Sequence, residues 1–409
     1  MVEMIAGGIT AAKGFMATGG AAGIKKNGKD DLALIKCEKM CTAAGTFTSN
    51  RVKAAPVMWD KKIVTEKGHA QAVVINSGIA NACTGEQGLA SCKASAEAVS
   101  EAMGVPADAV LCASTGVIGQ QLPMDKMASG IRALAPSLGD TLEDGHKAAC
   151  AIMTTDRVPK EIAVSMTFSD GTTATLGGIC KGSGMIHPNM CTMICILGTD
   201  AAISRDMLQK ALSSVVPETF NMVSVDGDTS TNDTCVVLAN GLAENAAITE
   251  EGEDYDTFRE ALLICCTTLA KKMAKDGEGA TCLFECEVTD AASQKDAKVL
   301  ARSVVSSTLT KAAIAGHDAN WGRILCALGY SGVDFDPENV DLTITSSAGT
   351  VLIFTKGNAT DYSEDKATEI LSQDEIRCIC DMHMGDASAS AWGCDLTHEY
   401  VNINADYRS

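Results

Sequence analysis

Lys181-Gly-Ser-Gly-Met-Ile-His-Pro-Asn-Met-Cys-Thr192-Met-Ile-Cys-Ile-Leu197 joins a Gly/Pro-rich loop to a short apolar run, and its reading decides what kind of fold this is. Gly182, Gly184 and Pro188 keep the backbone out of regular structure. Met193 to Leu197 has the length and composition of a buried strand. Thr192 therefore stands where a loop meets the core. Cleavage in front of it creates an N-terminal threonine, whose α-amine titrates near pH ~7.7–8 and acts as general base for its own hydroxyl. An amide nitrogen in an uncut chain cannot take that proton. Read alone, a threonine opening a strand is most simply a good strand former.

Outward from this stretch, helical and strand periods are mixed. Ile162, Val164, Met166 and Phe168 alternate, turn at Asp170-Gly171, and alternate again through Thr173 and Thr175 toward Lys181, which predicts a hairpin. Thr257 with Glu260 three residues on predicts a capping box. The helix it opens buries Phe258, Leu262, Cys265, Cys266, Leu269 and Met273 and stops at Gly277, leaving Glu278 on the exit loop. The spacing of Leu89, Cys92, Val99 and Met103 predicts a helix over 86–103; another runs over 297–314 and leads into His317. Val340 to Ile344 and Val351 to Phe354 predict a second hairpin across Ser-Ser-Ala-Gly. The class is α+β or layered α/β, without repeats, low-complexity tracts or an obvious linker.

Composition bounds the function without naming it. A chain of 409 residues with 46% hydrophobic content builds large cores, two or three domains as a prior. A formal charge of −19 argues against a nucleic-acid surface and against an anionic membrane face. The first twenty residues lack the charged and apolar regions of a secretion signal, and no apolar run reaches ~18 residues. The 18 cysteines then read as reduced cytoplasmic thiols. No Cys-x-x-Cys occurs, the pairs 37/41, 282/286 and 378/380 miss zinc spacing, and the six histidines are scattered, so no metal is expected. Asp226-x-Asp228-x-Ser230-x-Asn232 opens like a calcium loop but lacks the glycine at the sixth place and the glutamate at the twelfth, and reads as a structural turn. Gly182 and Gly184 lack the third glycine and the following helix of a dinucleotide fingerprint.

The loop around Thr192 resembles the segment KGxGMIxPNMxTM at the self-cleavage site of the ornithine acetyltransferase family, the glutamate N-acetyltransferases of arginine biosynthesis. The resemblance extends over the whole chain. It includes Gly7-Gly-Ile-Thr-Ala-Ala-Lys-Gly-Phe15, Ala22-Gly-Ile-Lys-Lys26, Phe47-Thr-Ser-Asn-Arg51, Ala54-Ala-Pro-Val57, Asn76-Ser-Gly-Ile-Ala-Asn81 and Ser114-Thr-Gly-Val-Ile-Gly119. It continues through Ser224-Val-Asp-Gly-Asp-Thr-Ser-Thr-Asn-Asp233, Asp276-Gly-Glu-Gly-Ala-Thr281, Asp318-Ala-Asn-Trp-Gly-Arg323 and Asn404-Ala-Asp-Tyr-Arg-Ser409. Chance does not supply so many in order.

The resemblance implies a sandwich of sheets between helical layers, of the self-processing N-terminal-nucleophile type. It implies cleavage between Cys191 and Thr192 into segments 1–191 and 192–409 that stay packed together, as an α2β2 assembly. Thr192 is then the nucleophile, with Thr115 and Gly116 as the oxyanion hole. Thr155, Lys181, Thr192, Glu278, Asn404 and Ser409 line the substrate site for N2-acetylornithine and glutamate, and no cofactor is needed. Lys181 suits a substrate carboxylate and Glu278 an ammonium. Read without the family, Thr115-Gly116 is a turn after the strand Ala109 to Cys112, Lys181 and Glu278 are surface charges, and Asn404 and Ser409 are a frayed tail. Whether acetyl-CoA also serves as donor is not decided by these residues.

This chain departs from the pattern beside the nucleophile. Cys191 replaces an alanine of similar size. His187 stands where a small residue is expected; it is bulkier and titratable, and is read as a tolerated residue of a surface loop. Two other readings stay open: an amidase- or aminopeptidase-like hydrolase of the same fold, in which water resolves the acyl-enzyme, and a binding protein in which Thr192 is never released.

Overall fold

The computed structural model describes residues 1–187 and 193–405. Among them, nine strands form a first sheet: β1 (Val2–Ile5), β2 (Phe15–Gly20), β3 (Leu32–Phe47), β4 (His69–Ile79), β5 (Val110–Val117), β6 (Lys160–Thr167), β7 (Thr173–Lys181), β8 (Ile194–Thr199) and β10 (Thr234–Ala239). Their order is β1-β6-β7-β8-β10-β3-β4-β5, with β2 on the first half of β3. β8 pairs with β10, and β4 with β5, in parallel; the other pairs are antiparallel. The second sheet holds β9 (Val223–Ser224), β11 (Leu283–Ala291), β12 (Asp341–Ser346), β13 (Gly349–Thr355), β14 (Asn358–Ala359), β15 (Glu375–Asp381) and β16 (Ala387–Cys394), in the order β14-β13-β12-β15-β11-β16-β9.

Alternation along the strands sets the layers. On β8, Ile194 and Ile196 enter the cluster that includes Ala148, Ala149 and Ala151 of a helix at Leu142–Ala151; Cys195 and Leu197 enter the one that holds Phe258 and Leu262 of the helix Glu253–Lys275. A strand buried on both faces reads as one continuous apolar run, as Met193 to Leu197 does. The long helix also reaches the second sheet, where Lys271 pairs with Glu285 at 2.9 Å and lies 5.5 Å from the ring of Trp392. The next residue, Gly393, faces the other way, its missing side chain making room for Val305 of the helix Gln294–Ser306. The architecture is therefore helix, sheet, helix, sheet, helix, the layered sandwich expected. A further helical group at Ala55–Lys62, Gly85–Met103 and Met124–Leu134 covers β4 and β5.

Both predicted hairpins are present, as β6-β7 and β12-β13. Three local expectations are corrected. The long helix begins at Glu253 behind Gly252, one turn before Thr257, because Glu253, Asp254 and Asp256 suit the positive end of the helix dipole; the Thr257/Glu260 capping box does not form. The stretch over 297–314 is two helices, Gln294–Ser306 and Thr308–Ala315, broken at Ser307, whose hydroxyl caps the second by accepting from the Thr310 N–H. Leu89 is exposed; the buried face of its helix is Cys92, Ala96, Val99 and Met103.

Candidate active site

β5 does not stop at Cys112 but runs through Thr115 and Gly116 to Val117. Gly116 lies opposite Gly78 of β4, both at left-handed φ of +128° and +122°. A Cβ on Gly116 would stand 2.2 Å from the Gly78 carbonyl carbon, so this crossing demands glycine. Polar side chains brace it. Ser114 Oγ donates to Asn76 Oδ1 at 2.6 Å, and Asn232 Nδ2 donates to the carbonyls of Ala80 and Ser114 at 2.6 and 2.8 Å.

Beside this crossing lies a cavity lined by Thr115, Gly116, Thr155, Lys181, Glu278 and Asn404, residues that come from five separate parts of the chain. Met193, next to the candidate nucleophile, lines it too. Cys191, Thr192 and Ser409 lie outside the described residues. Lys181 Nζ donates to Thr115 Oγ1 at 3.2 Å. An ammonium has no acceptor to offer, so the Thr115 hydroxyl accepts there and keeps its own proton to donate. This places Lys181 beside Thr115 and Gly116, the pair expected to form the oxyanion hole. At the other wall, Asn404 Nδ2 donates to Glu278 Oε2 at 2.7 Å. Gly184 lets that carboxylate in: a Cβ there would sit 2.2 Å from the carboxyl carbon of Glu278. The glycine is a matter of room as well as of loop conformation.

A buried charge network carries the three loops that bear Thr155, Lys181 and Glu278. Lys160, its side chain 0% exposed, holds Asp156 Oδ1 at 2.7 Å and Asp276 Oδ2 at 2.6 Å. Asp156 also accepts from the N–H groups of Thr154 and Gly182, and Asp276 accepts from Arg157 Nε at 3.2 Å. Ser183 Oγ closes the ring on the Asp276 carbonyl. Burial pushes the Asp156 carboxyl up, yet Lys181 and Lys160 together outweigh it and hold the group well below the usual carboxylate range. Sequence reasoning missed this network. Asp156 and Lys160 sit four apart, but nothing in their spacing links them to Asp276.

Asp233, the last residue of the Ser224–Asp233 segment, is a wall of the cavity, its side chain fully buried. Because Thr234 pairs with Ile194, Asp233 is brought level with Met193, where the Thr48 and Ser230 hydroxyls and the Met193 N–H face its carboxylate. Burial outweighs them and drives its pKa far up. The acidic run at Asp226 is a turn, as expected: Asp226 accepts from the N–H groups of Met185, Ile186 and Asp228 and ties down the loop that leads to residue 187.

His187 corrects the reading of it as a tolerated surface residue. It is half-buried; its Nε2 accepts from Arg302 Nη2 at 3.0 Å and its Nδ1 faces Ser224 Oγ at 3.0 Å. Burial, then the Arg302 charge, lowers its pKa, which favours the neutral ring that accepts from Arg302. Among the described residues, Asp290, Asp381 and His383 bring three ligand-type atoms within 4.8 Å of one another, but they are a surface group remote in the fold from the cavity, with His383 already paired to Asp341 and Asp381. No helix among the described residues is long and apolar enough to cross a membrane.

A family model described as the ArgJ family matches residues 16–409. The chain belongs to the ArgJ family. Relatives named arginine biosynthesis bifunctional protein ArgJ, from Caldanaerobacter subterraneus subsp. tengcongensis and Symbiobacterium thermophilum, are each 49% identical to it, over 408 and 410 residues, with 100% of both chains covered. A crystal structure of the ArgJ protein from Bacillus halodurans is 48% identical over 50% of this chain and 95% of its own, with a TM-score of 0.48. Four of the segments through which this sequence resembles the family meet at the cavity: Ser114-Thr-Gly, the Lys181 loop, the Glu278 loop and Asn404.

Proposed function

We propose that this ArgJ-family chain is a glutamate N-acetyltransferase that moves the acetyl group of N2-acetylornithine to glutamate through an ester on Thr192. The observation that carries the reading is the single cavity in which Thr115, Gly116, Thr155, Lys181, Glu278 and Asn404 meet. The names of its relatives, which place them in arginine biosynthesis, support the same reading.

In maturation, the Thr192 hydroxyl attacks the Cys191 carbonyl carbon and displaces its amide nitrogen, giving an ester. Water hydrolyses the ester, leaving a Cys191 carboxylate and a free Thr192 amine. In turnover the Thr192 hydroxyl attacks the acetyl carbonyl while its own amine takes the proton. The oxyanion accepts from the Thr115 hydroxyl and the Gly116 N–H, with the Lys181 charge behind Thr115. The tetrahedral centre collapses, the proton passes to the departing α-amine, and ornithine leaves. The α-amine of glutamate then attacks the acetyl ester and restores the hydroxyl. Glu278, steadied by Asn404, is suited to the distal ammonium of ornithine. The two segments 1–191 and 192–409 stay associated in the cytoplasm as α2β2.

The test is the denaturing mass of the purified protein beside its transfer activity. Two fragments meeting at Cys191/Thr192, acetyl-glutamate formed from N2-acetylornithine, and an uncut, inactive Thr192→Ala variant are expected. A single 42.4 kDa species, or an active Thr192→Ala variant, overturns the scheme. Acetate released without transfer to glutamate makes the enzyme a hydrolase instead.

A further inference from the structure

Asn232 lines the acyl-transfer cavity without a place in the substrate or oxyanion set, and its side chain reaches the crossing where Gly116 lies opposite Gly78. Its Nδ2 donates to the Ala80 carbonyl at 2.6 Å and to the Ser114 carbonyl at 2.8 Å. Carbonyl oxygens only accept, so it is the amide NH2 that faces them, and both of its protons are used. The other end of the amide is fixed as well: the Thr231 hydroxyl donates to Asn232 Oδ1 at 2.6 Å. Ala80 stands two residues after Gly78 and Ser114 two before Gly116, so the amide clasps the crossing from both strands. The Ala80 N–H, donating to the Val117 carbonyl at 2.9 Å, closes the same clasp.

Asn232 itself belongs to another part of the sheet. β10 begins at Thr234, and β3 and β4 lie between it and β5 in the strand order. Thr234 pairs with Ile194, and its N–H donates to the Met193 carbonyl at 2.8 Å. Two residues of chain, at most about 7 Å when extended, therefore separate the amide from that bond to Met193. We propose that Asn232 is a positioning residue of the acyl transfer, holding the Thr115 hydroxyl and the Gly116 N–H at a fixed offset from the strand that follows Thr192. It acts through the Ser114 peptide, since carbonyls already take both of its protons. Ala80 and Ser114 precede Thr192 and Asn232 follows it, so the clasp also joins the two segments that the proposed cut creates. The inference rests on the acyl-transfer reading and adds to it what aligns the oxyanion donors with the nucleophile. Misplacing such groups by about 1 Å costs on the order of 10² in rate.

The test compares Asn232→Ala with Asn245→Ala. Asn245 also donates to two carbonyls, those of Ala202 and Ala246, but does not line the cavity. Per cut chain, Asn232→Ala is expected to lower kcat about tenfold to a hundredfold, with KM for both substrates little changed, because alignment is lost and not binding. Asn245→Ala is expected to keep the wild-type kcat. In a Thr115→Val background Asn232→Ala is expected to cost less than it does alone, since part of what it aligns is already missing. A second measurement needs no turnover. In the uncut Thr192→Ala protein, hydrogen exchange over residues 113–118 is expected to quicken with Asn232→Ala while the second sheet keeps its protection. The proposal is overturned by a kcat within about threefold of the wild type, the effect of one ordinary hydrogen bond. It is equally overturned by an equal loss in Asn245→Ala, by losses that multiply in full with Thr115→Val, or by unchanged exchange over 113–118. A wild type without transfer activity would fail the acyl-transfer reading instead, and the exchange measurement still decides whether Asn232 holds the crossing.

Discussion

Lys160→Met removes the one cation that joins the loops of Thr155, Lys181 and Glu278. The lysine contacts Asp156 and Asp276 at 2.7 and 2.6 Å with none of its side chain exposed. Removing one partner of a buried ion pair costs about 3–5 kcal/mol, because the other charge stays behind without compensation. Here compensation is partial. Asp156 keeps Lys181 as a neighbour and two backbone N–H donors, and Asp276 keeps Arg157, whose side chain is 58% exposed and hence weakly coupled. The expected loss is at the lower end, about 3 kcal/mol, a large share of the roughly 5–15 kcal/mol of a typical protein. The pH dependence has a defined sign. Asp156 is depressed in the folded protein, so its contribution is present above the unfolded value near ~3.9 and fades as pH falls toward the folded one. Lys160 is raised, its two carboxylates outweighing burial, so its contribution is present below ~10.4 and fades at higher pH. The gap between wild type and variant is therefore full near neutrality and narrows below about pH 4, where the orphaned carboxylates take up protons. Urea unfolding followed by circular dichroism at pH 7 and at pH 4, in an uncut Thr192→Ala background that keeps the reaction unimolecular, measures both. A neutral-pH gap under about 1 kcal/mol, within the range of an exposed pair, refutes the reasoning. So does a gap that widens in acid.

Thr115→Val keeps the shape of the strand and deletes one proposed oxyanion donor, so kcat is expected to drop ~10²–10³-fold with little change in KM; steady-state rates giving less than a tenfold loss exclude the role. Gly184→Ala drives a methyl into the carboxyl group of Glu278, and KM for N2-acetylornithine is expected to rise about tenfold or more while that for glutamate moves less. Asp233→Asn replaces a carboxyl whose pKa burial drives far up. The native wild type then holds a proton that the unfolded chain releases above pH ~3.9, and loses ~1.4 kcal/mol per pH unit relative to the variant. Thermal melts should show the variant gaining on the wild type from pH 5 to pH 7, and a pH-independent difference in Tm counts against it.

The strand before and after the loop was legible because a sheet buried on both faces writes itself as an uninterrupted apolar run, and the β6-β7 hairpin because its turn carries Asp170-Gly171. Helix starts were less so. Thr257 and Glu260 have capping chemistry, but three acidic residues upstream extended the helix past them. The cavity residues were placed by resemblance to a family, not by their own character. Lys181, Glu278 and Asn404 are 97 and 126 residues apart along the chain, and only the meeting of the loops makes them neighbours. Buried charge is the least legible of all: Lys160 looks like any strand-opening lysine until Asp276 is found against it, and His187 looks like a loop residue until Arg302 is.

The strand order also bears on how such a protein is made. β8 and β10, both beyond residue 192, separate β1, β6 and β7 from β3, β4 and β5, all before it. A cut before Thr192 thus leaves the upstream piece with its sheet in two halves, each ending on a bare edge, and the downstream piece with two strands that have lost their outer neighbours. The second sheet lies wholly in the downstream piece, but neither piece holds the whole nine-stranded sheet, so under the proposed cut that sheet closes while the chain is still whole. Afterwards, recovery from full denaturation becomes an encounter between two molecules, slower at every dilution, where the uncut precursor refolds at a rate indifferent to concentration. Under the proposed cleavage, the mature protein keeps its shape as something inherited from its precursor, not as something its separated pieces can quickly recover.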